Sequence, residues 1–130
     1  MTTPHRLELH WIEGEYAICQ LDPHARLSSM PRGPFMSITR TVDELSVVCL
    51  AEEAPEGSRS EGPYALLRVA GSMDLSLTGV LASIAAPLAA AQIPIFSLAT
   101  FDTDYLLVRS ADRTRAESTL AAAGHRFAQL

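Results

Sequence analysis

The chain of 130 residues is long enough for one ordinary domain, or for two very small ones that share a core. Hydrophobic residues make up 48% and charged residues 19%, which allows a core and excludes wholesale disorder. The net charge is −5 and the ten basic residues are scattered, so nucleic-acid binding is not expected. Residues 80–91, the most apolar run, contain Ser83 and Pro87 and are too short to span a bilayer.

The N-terminal residues MTTPHR lead into an alternating segment without the apolar core of a signal peptide, which predicts a cytoplasmic protein. Two cysteines, Cys19 and Cys49, lie in apolar strand-like segments. They are best interpreted as small buried hydrophobic residues. A disulfide or metal pair is the alternative, although the chain has no CxxC spacing and no Cys/His cluster.

Alternating apolar and polar residues in the first half predict strands, with a hairpin turn at Glu13-Gly14. The predicted strands are 7–12, 16–21, 35–40 and 45–50. Residues 22–34 contain three prolines and are typical of a loop, and residues 41–44 join the last two strands. The acidic segment 51–63 is rich in Gly, Ser and Pro and indicates a solvated linker.

The second half begins with a predicted strand at 64–69 and a loop at 70–74, followed by apolar residues at helical spacing. These apolar residues are Leu77, Val80, Leu81, Ile84, Leu88 and Ala91. Ser76 or Thr78 can cap the helix, because a side-chain oxygen there satisfies free N–H groups of the first turn. Pro87 removes the hydrogen bond to the Ser83 carbonyl, so we expect a bend rather than a break.

Further along the chain, strands are predicted around Asp102-Thr103-Asp104, followed by a second helix that Gly124 ends. The predicted elements are strands 93–101 and 105–109, helix 112–123 and a short final strand at 125–127. The second half therefore reads strand, helix, strand, strand, helix, strand. This order predicts an α+β fold in which a sheet packs against two helices.

An internal repeat is indicated when residues 34–49 are aligned with residues 94–109 at an offset of 60. The alignment needs no gap and matches Pro34 with Pro94 and Val48 with Val108. Residues 16–18 match residues 64–66 at an offset of 48, so the first copy lacks about 12 residues where the second has its long helix. A duplicated module with a degenerate first copy explains this better than the chance likeness of two hairpins.

No catalytic, cofactor or metal site is predicted. The four histidines do not lie at metal-ligand spacing from one another, from cysteine or from an acidic residue. The chain also lacks the GxSxG, P-loop, GxGxxG and HExxH motifs. We therefore expect a protein that is not an enzyme and needs no cofactor.

A ligand site is easier to derive. Gly79 lies in the predicted first turn of the long helix, where free N–H groups and the positive end of the dipole favour an anion. Asp102 and Asp104 lie in the following hairpin turn. A zwitterion could place its carboxylate at the helix start and its ammonium group on an aspartate. The competing interpretation is that the aspartates are ordinary turn residues and that Gly79 only assists packing.

Residues 77–95, LTGVLASIAAPLAAAQIPI, resemble the core of an ACT domain, in which a glycine opens an apolar helix that leads into the second strand. Residues 97–108, SLATFDTDYLLV, and residues 41–49, TVDELSVVC, are similar to motifs of one branch of this family. That branch contains stand-alone bacterial ACT proteins and the arginine sensors called CASTOR. The resemblance implies a ferredoxin-like βαββαβ fold, as a tandem pair with an N-terminal half at 1–60 and an ACT domain at 61–130.

The resemblance also implies a regulatory module that binds an amino acid between copies, here as a homodimer. Carried over from the arginine sensors, the ligand contacts are Ser76, Thr78, Gly79 and Val80, with Asp104 as the ammonium partner. Position 76 is not acidic, so arginine specificity is not implied. The near-continuous apolar runs 93–98 and 105–108 also favour a dimer. A ligand-free module that docks on an enzyme or regulator is the alternative.

Overall fold

The computed structural model describes residues 5–70 and 78–128. Most of its elements are strands: β1 (Glu8–Leu21), β2 (Ser37–Arg40), β3 (Leu45–Leu50), β4 (Arg59–Val69), β5 (Phe96–Ala99), β6 (Asp104–Arg109) and β7 (Arg126–Phe127). The two α-helices are α1 (Val80–Ala90) and α2 (Arg113–Ala122). The predicted α+β class is therefore confirmed. None of the described helices is long and apolar enough to cross a membrane.

The described chain forms two compact units. The N-terminal unit contains residues 13–64, and the C-terminal unit contains residues 5–12 together with residues 65–128. Strands β1 and β4 therefore contribute residues to both units. The predicted boundary between residues 60 and 61 separates the two copies of a duplicated module, which is a different question from compactness. It therefore stays a prediction.

In the C-terminal unit the strands lie in the order β7-β1-β4-β6-β5. Helix α1 connects β4 to β5, and α2 connects β6 to β7, which is the predicted succession of elements. Both helices pack on one face of the sheet, because every second strand residue joins helix residues in a single core. Its buried members are Leu9, Ala65, Leu67, Val69, Ile84, Leu88, Ile93, Leu106, Val108, Ala116 and Leu120.

In the N-terminal unit the order is β2-β3-β1-β4. Residues 16–21 of β1 pair antiparallel with β3, and β2 pairs antiparallel with β3. Its core is smaller and contains Ala17, Cys19, Leu45, Val47 and Cys49. Loop residues rather than an α-helix complete the packing on this core, among them Ala25, Leu27 and Ala54.

Two sequence predictions for this unit are wrong. Glu13-Gly14 does not form a hairpin turn, because β1 runs through both residues. Gly14 instead has a φ of 105°, which residues with a side chain rarely adopt, so it marks an irregularity inside one strand. The predicted solvated linker 51–63 contains a short 3₁₀ turn (Ala51–Glu53) and the first residues of β4.

The β2–β3 and β5–β6 hairpins have the same internal geometry, but at an offset of 59 rather than 60. Ser37 pairs with Val48, and Phe96 pairs with Leu107, 59 residues later on both strands. Each turn has a threonine amide donating to the carbonyl three residues later, at 2.9 Å in both cases. A 3₁₀ turn follows both hairpins, at 51–53 and at 110–112. The sequence alignment at an offset of 60 therefore differs by one residue from the register of the two hairpins.

Helix α1 continues through Pro87, as predicted. Proline has no N–H group, so the Ser83 carbonyl lacks the usual hydrogen bond from residue 87. The buried His125 supplies the missing donor, with its Nε2 2.9 Å from the Ser83 oxygen. The other ring nitrogen, Nδ1, accepts the Leu7 amide at 3.1 Å. These two bonds together require a neutral ring with its proton on Nε2.

We expect His125→Leu to lower the free energy of unfolding by about 2–3 kcal/mol, because the half-buried Ser83 carbonyl loses the hydrogen bond from His125. In a Pro87→Ala background the amide of residue 87 can donate to Ser83, so the same substitution should cost about 1 kcal/mol less. Urea denaturation of the four proteins in this double-mutant cycle measures the difference. His24→Leu, at an exposed loop position, is the control and should change stability by less than about 0.5 kcal/mol. Equal costs in both backgrounds would contradict the assignment.

Candidate ligand site at the start of the long helix

Helix α1 begins without a side-chain cap. Gly79 is the N-cap residue, with φ 78° and ψ 1°, and no side chain caps the first turn. The first amide to bond within the helix is that of Ser83, which donates to the Gly79 carbonyl at 2.9 Å. The prediction that Thr78 caps the helix is therefore wrong, and Ser76 lies outside the described residues.

His5 lies against this helix start, which the sequence did not predict. Its Nε2 is 2.8 Å from the Thr78 carbonyl oxygen and donates to it, since a carbonyl can only accept. A Cβ atom added to Gly79 would lie 3.8 Å from the His5 ring, so the ring is in van der Waals range of the glycine backbone. The two residues are more than 70 positions apart, and no local pattern links them.

The β5–β6 turn holds the two predicted aspartates. Asp102 is exposed, whereas Asp104 is half-buried at the start of β6 and pairs with Ala99. Thr103 between them is buried, and its hydroxyl donates to the Val69 carbonyl at 2.9 Å. The turn is thus tied to the end of β4, the strand that precedes α1 in the chain.

The structure therefore brings only part of the predicted site together. Thr78, Gly79 and Val80 form one short segment, with Thr78 and Gly79 exposed and Val80 buried in the core. Asp102 and Asp104 flank Thr103 at the end of β4. The described hydrogen bonds and ion pairs do not join either aspartate to residues 78–80.

This helix start is chemically suited to an anion. Its free amides and the positive end of the helix dipole favour negative charge, and the first turn has no acidic residue. Gly79 leaves the backbone accessible because it has no side chain. A carboxylate is the simplest group that such a segment can hold.

A second polar group lies at the edge strand β7. The Glu8 carboxylate accepts hydrogen bonds from Arg126 and, at 3.3 Å, from His10 Nε2. These bonds hold the pKa of Glu8 below its ordinary value. Arg126 also pairs with Glu8 in the β7–β1 ladder, so the ion pair fastens β7 to β1.

Among residues 5–70 and 78–128, no group of three or more His, Cys, Asp and Glu side chains is placed to hold a metal ion. The described hydrogen bonds of His5 and His125 go to backbone groups, and that of His10 goes to the Glu8 carboxylate. None of these bonds reaches a serine hydroxyl or a cysteine thiol. The bonds of His5 and His125 connect elements of the fold to one another.

Cys19 and Cys49 are free thiols on the neighbouring strands β1 and β3. Cys49 pairs with Ala17 and Cys19 with Val47, so the two cysteines are diagonal neighbours rather than directly opposite. Both are buried, as the sequence predicted. Burial, with smaller contributions from the nearby Cys19 and Glu53, raises the pKa of the Cys49 thiol to about 12.

Comparison with known proteins follows the same division of the chain. Residues 59–122 match the ACT domain family, and residues 14–57 match a second family described as an N-terminal domain. The crystal structure of protein Atu0741 from Agrobacterium tumefaciens is similar, with a TM-score of 0.89 and 36% identity over 97% of this chain and 95% of that chain. The chain carries an ACT domain and belongs to the same family as Atu0741.

Two more distant structures share the fold. VC0802 from Vibrio cholerae, described as a possible transport protein, has a TM-score of 0.73 and 22% identity over 91% of this chain and 90% of that chain. The aspartate kinase of Clostridium acetobutylicum, described as an allosteric enzyme, has a TM-score of 0.65 and 14% identity. The match covers 89% of this chain and 34% of that kinase.

Gly79→Ala should lower the free energy of unfolding by about 1 kcal/mol, because a φ of 78° is unfavourable for a residue with a side chain. The cost is conformational rather than steric, since the nearest atoms to a new Cβ lie at 3.8 Å. Gly79→Asn should therefore cost less, because asparagine tolerates this conformation better than alanine. Urea denaturation compares the two variants. An alanine variant as stable as the wild type would contradict the geometry of the helix start.

In the folded protein, Cys19 and Cys49 should resist a thiol reagent such as 5,5′-dithiobis(2-nitrobenzoate) at pH 8. Both thiols are buried, and their raised pKa values leave little thiolate to react. Two thiols should react promptly once guanidinium unfolds the chain. A Ser118→Cys variant, at an exposed position of α2, is the positive control for the folded state. Rapid reaction of the native pair would show that the two thiols are accessible.

Proposed function

We propose that this protein is a regulatory module that binds a small zwitterion, in the simplest case an amino acid, at the start of α1. The observation that carries the proposal is the uncapped helix start at Gly79, which has free amides and no acidic residue in its first turn. ACT domains are in general small-molecule regulatory modules, and residues 59–122 match this family.

In this proposal, the amides of residues 78–80 receive the ligand carboxylate. Asp104 receives the ammonium group, and the exposed Asp102 adds negative potential at the same turn. The hydroxyl of Thr103 fixes the turn against β4, so Asp104 is held on a rigid strand rather than on a free loop. Ser76, which the resemblance to the arginine sensors also implies as a ligand contact, belongs to the proposed site.

The proposal does not include catalysis. Gly79 can supply only backbone groups, and His5 at this place already donates to a carbonyl. An aspartate that holds an ammonium group has no proton to transfer in that state. Binding without chemistry is what these groups support.

We also propose that the protein is a homodimer. The outward face of α1 supports an interface between copies, because its solvent-facing residues are all apolar. They are Leu81, Ala82, Ala86, Ala89 and Ala90. The apolar run 105–108 supports a dimer less strongly than the sequence predicts, since Leu106, Leu107 and Val108 are already buried within one chain. The same face would serve a partner protein if the module binds no ligand.

The tandem arrangement is part of the proposal. The shared register and turn of the two hairpins, followed by a 3₁₀ turn in each, support descent from one duplicated module. The first copy would have lost its long helix, since loop residues occupy the stretch between β1 and β2. We place the protein in the stand-alone branch of the ACT family, in the cytoplasm.

Thermal-shift measurements against each of the twenty amino acids test the ligand site. A ligand present at 100 times its dissociation constant adds about 2.7 kcal/mol, which should raise the melting temperature by several degrees. Asp104→Ala should abolish that shift because the ammonium group loses its partner. Asp43→Ala is the matched control: it removes an exposed aspartate from the equivalent turn of the β2–β3 hairpin and should leave the shift unchanged.

The absence of stabilisation by every amino acid would contradict ligand binding and favour the alternative of a protein-interaction module. Light scattering at micromolar concentration tests the dimer separately. Leu81→Glu on the outward face of α1 should convert a dimer into monomers. A wild-type protein that is monomeric at this concentration would contradict the interface.

A further inference from the structure

Hydrogen bonds on either side of Leu7 hold the segment that carries His5. The Leu7 amide donates to the His125 ring at 3.1 Å, and the Leu7 carbonyl accepts the Arg126 amide at 2.9 Å. Two residues earlier, Nε2 of His5 donates to the Thr78 carbonyl at 2.8 Å. The segment therefore connects β7 to the start of α1, and it holds the His5 ring at the proposed ligand site.

The bond from His5 acts on the amide of Gly79, because one peptide unit contains both the Thr78 carbonyl and the Gly79 N–H. The C=O and N–H groups of a trans peptide point in opposite directions. With the carbonyl turned towards His5, the N–H is turned away from the ring. Among residues 5–70 and 78–128, no acceptor for this N–H is described. A donor on the carbonyl also polarises the peptide, which makes the N–H a stronger donor to a second group.

The His5 ring also lies against the backbone of Gly79. A Cβ atom added to the glycine would be 3.8 Å from both Cδ2 and Nε2 of the ring. Nε2 can donate to the Thr78 carbonyl in the neutral and in the protonated ring, so protonation adds a positive charge without breaking this bond. Hydrogen bonds from a charged donor are also the stronger ones.

Helix α1 carries no charged side chain, so the helix that His5 contacts adds no titratable group of its own. The other titratable or charged groups of the proposed site and of the N-terminal segment are Arg6, Asp102, Asp104 and His125. No described hydrogen bond or ion pair joins one of them to the His5 side chain. Nδ1 of His125 has to be unprotonated to accept the Leu7 amide. His5 is therefore the histidine here that gains a proton without losing a described bond.

We propose, on the basis of the amino-acid site at the start of α1, that His5 is a positioning residue of that site and makes it sensitive to pH. His5 holds the Thr78–Gly79 peptide so that the Gly79 N–H points at the ligand carboxylate. The protonated ring adds a positive charge beside that carboxylate. The ligand therefore binds more tightly below neutral pH than above it, and its carboxylate is the group that senses the difference.

The first experiment needs no ligand. The ¹⁵N-labelled full chain is titrated from about pH 5.5 to about pH 8, the range in which histidines change charge, and the Gly79 amide is followed by NMR. Its ¹⁵N shift should follow the titration of the His5 ring signals, and His5→Gln should abolish this step. His24→Gln, at an exposed loop position, is the matched control and should retain it. A Gly79 amide that does not respond to the His5 titration would overturn the link between the two residues.

Acetate then probes the site at about pH 6 and about pH 8, at constant ionic strength, with methylammonium as the control of opposite charge. Acetate should give saturable shifts at the amides of residues 78–81 and should bind about three- to ten-fold more tightly at the lower pH. Methylammonium should show no such preference. His5→Gln keeps a donor for the Thr78 carbonyl and should bind acetate equally at both pH values, whereas His5→Ala should bind it more weakly at both.

The outcomes separate the role of His5 from the site itself. Equal acetate affinity of the wild type at the two pH values, or wild-type affinity in His5→Ala, would overturn the role of His5 and leave the ligand site standing. If acetate shifts none of these amides at either pH, the carboxylate site at the start of α1 is wrong, and the role of His5 falls with it.

Discussion

The buried imidazole of His125 connects helix α1 to the paired strands β1 and β7. Its Nε2 donates to the Ser83 carbonyl on α1, its Nδ1 accepts the Leu7 amide, and the next residue begins β7. Pro87 makes this arrangement necessary, because it removes the N–H that would otherwise satisfy Ser83. An α-helix with an internal proline can therefore lie in this core only where another element supplies a donor. That bond acts together with the packing of Ile84 and Leu88 in the core to hold α1, and with it the start at Gly79, in place.

Helix periodicity predicted α1 well because Val80, Ile84 and Leu88 are buried on one side, as their spacing of four requires. The same reasoning failed at Glu13-Gly14, where a turn-like dipeptide lies inside β1. Local composition indicates which backbone conformations a dipeptide can adopt, whereas strand pairing selects the conformation that it has in the fold. Here β1 pairs with β3 beyond Gly14 and with β7 before it, and these long-range ladders prevail over the local preference. The offset of 59 likewise follows from register, which sequence letters do not encode.

The candidate site shows the same limit. The sequence identified the glycine at the helix start and the aspartates of the following turn, because both are local signals. It did not identify His5, whose partner Thr78 lies more than 70 positions away along the chain, or Thr103, whose hydroxyl donates to the Val69 carbonyl of β4. The predicted cap failed because Gly79 itself occupies the N-cap position in a left-handed conformation. An uncapped helix start is less stable by itself, but it leaves its amides free for a ligand.

The β2–β3 and β5–β6 hairpins share one backbone pattern but are followed by different structures in the two units. Both have the same register and the same turn, and a 3₁₀ turn follows each one. In one unit, α2 continues from the 3₁₀ turn and Ala116 and Leu120 complete the core. In the other, the chain continues into Ala54, Pro55 and the wall of a cleft. Pro55 restricts the residue before it, and Ala54 has an extended backbone with ψ 130°, so the helical conformation ends there. The same hairpin and 3₁₀ turn are therefore followed by α2 in one unit and by a loop in the other.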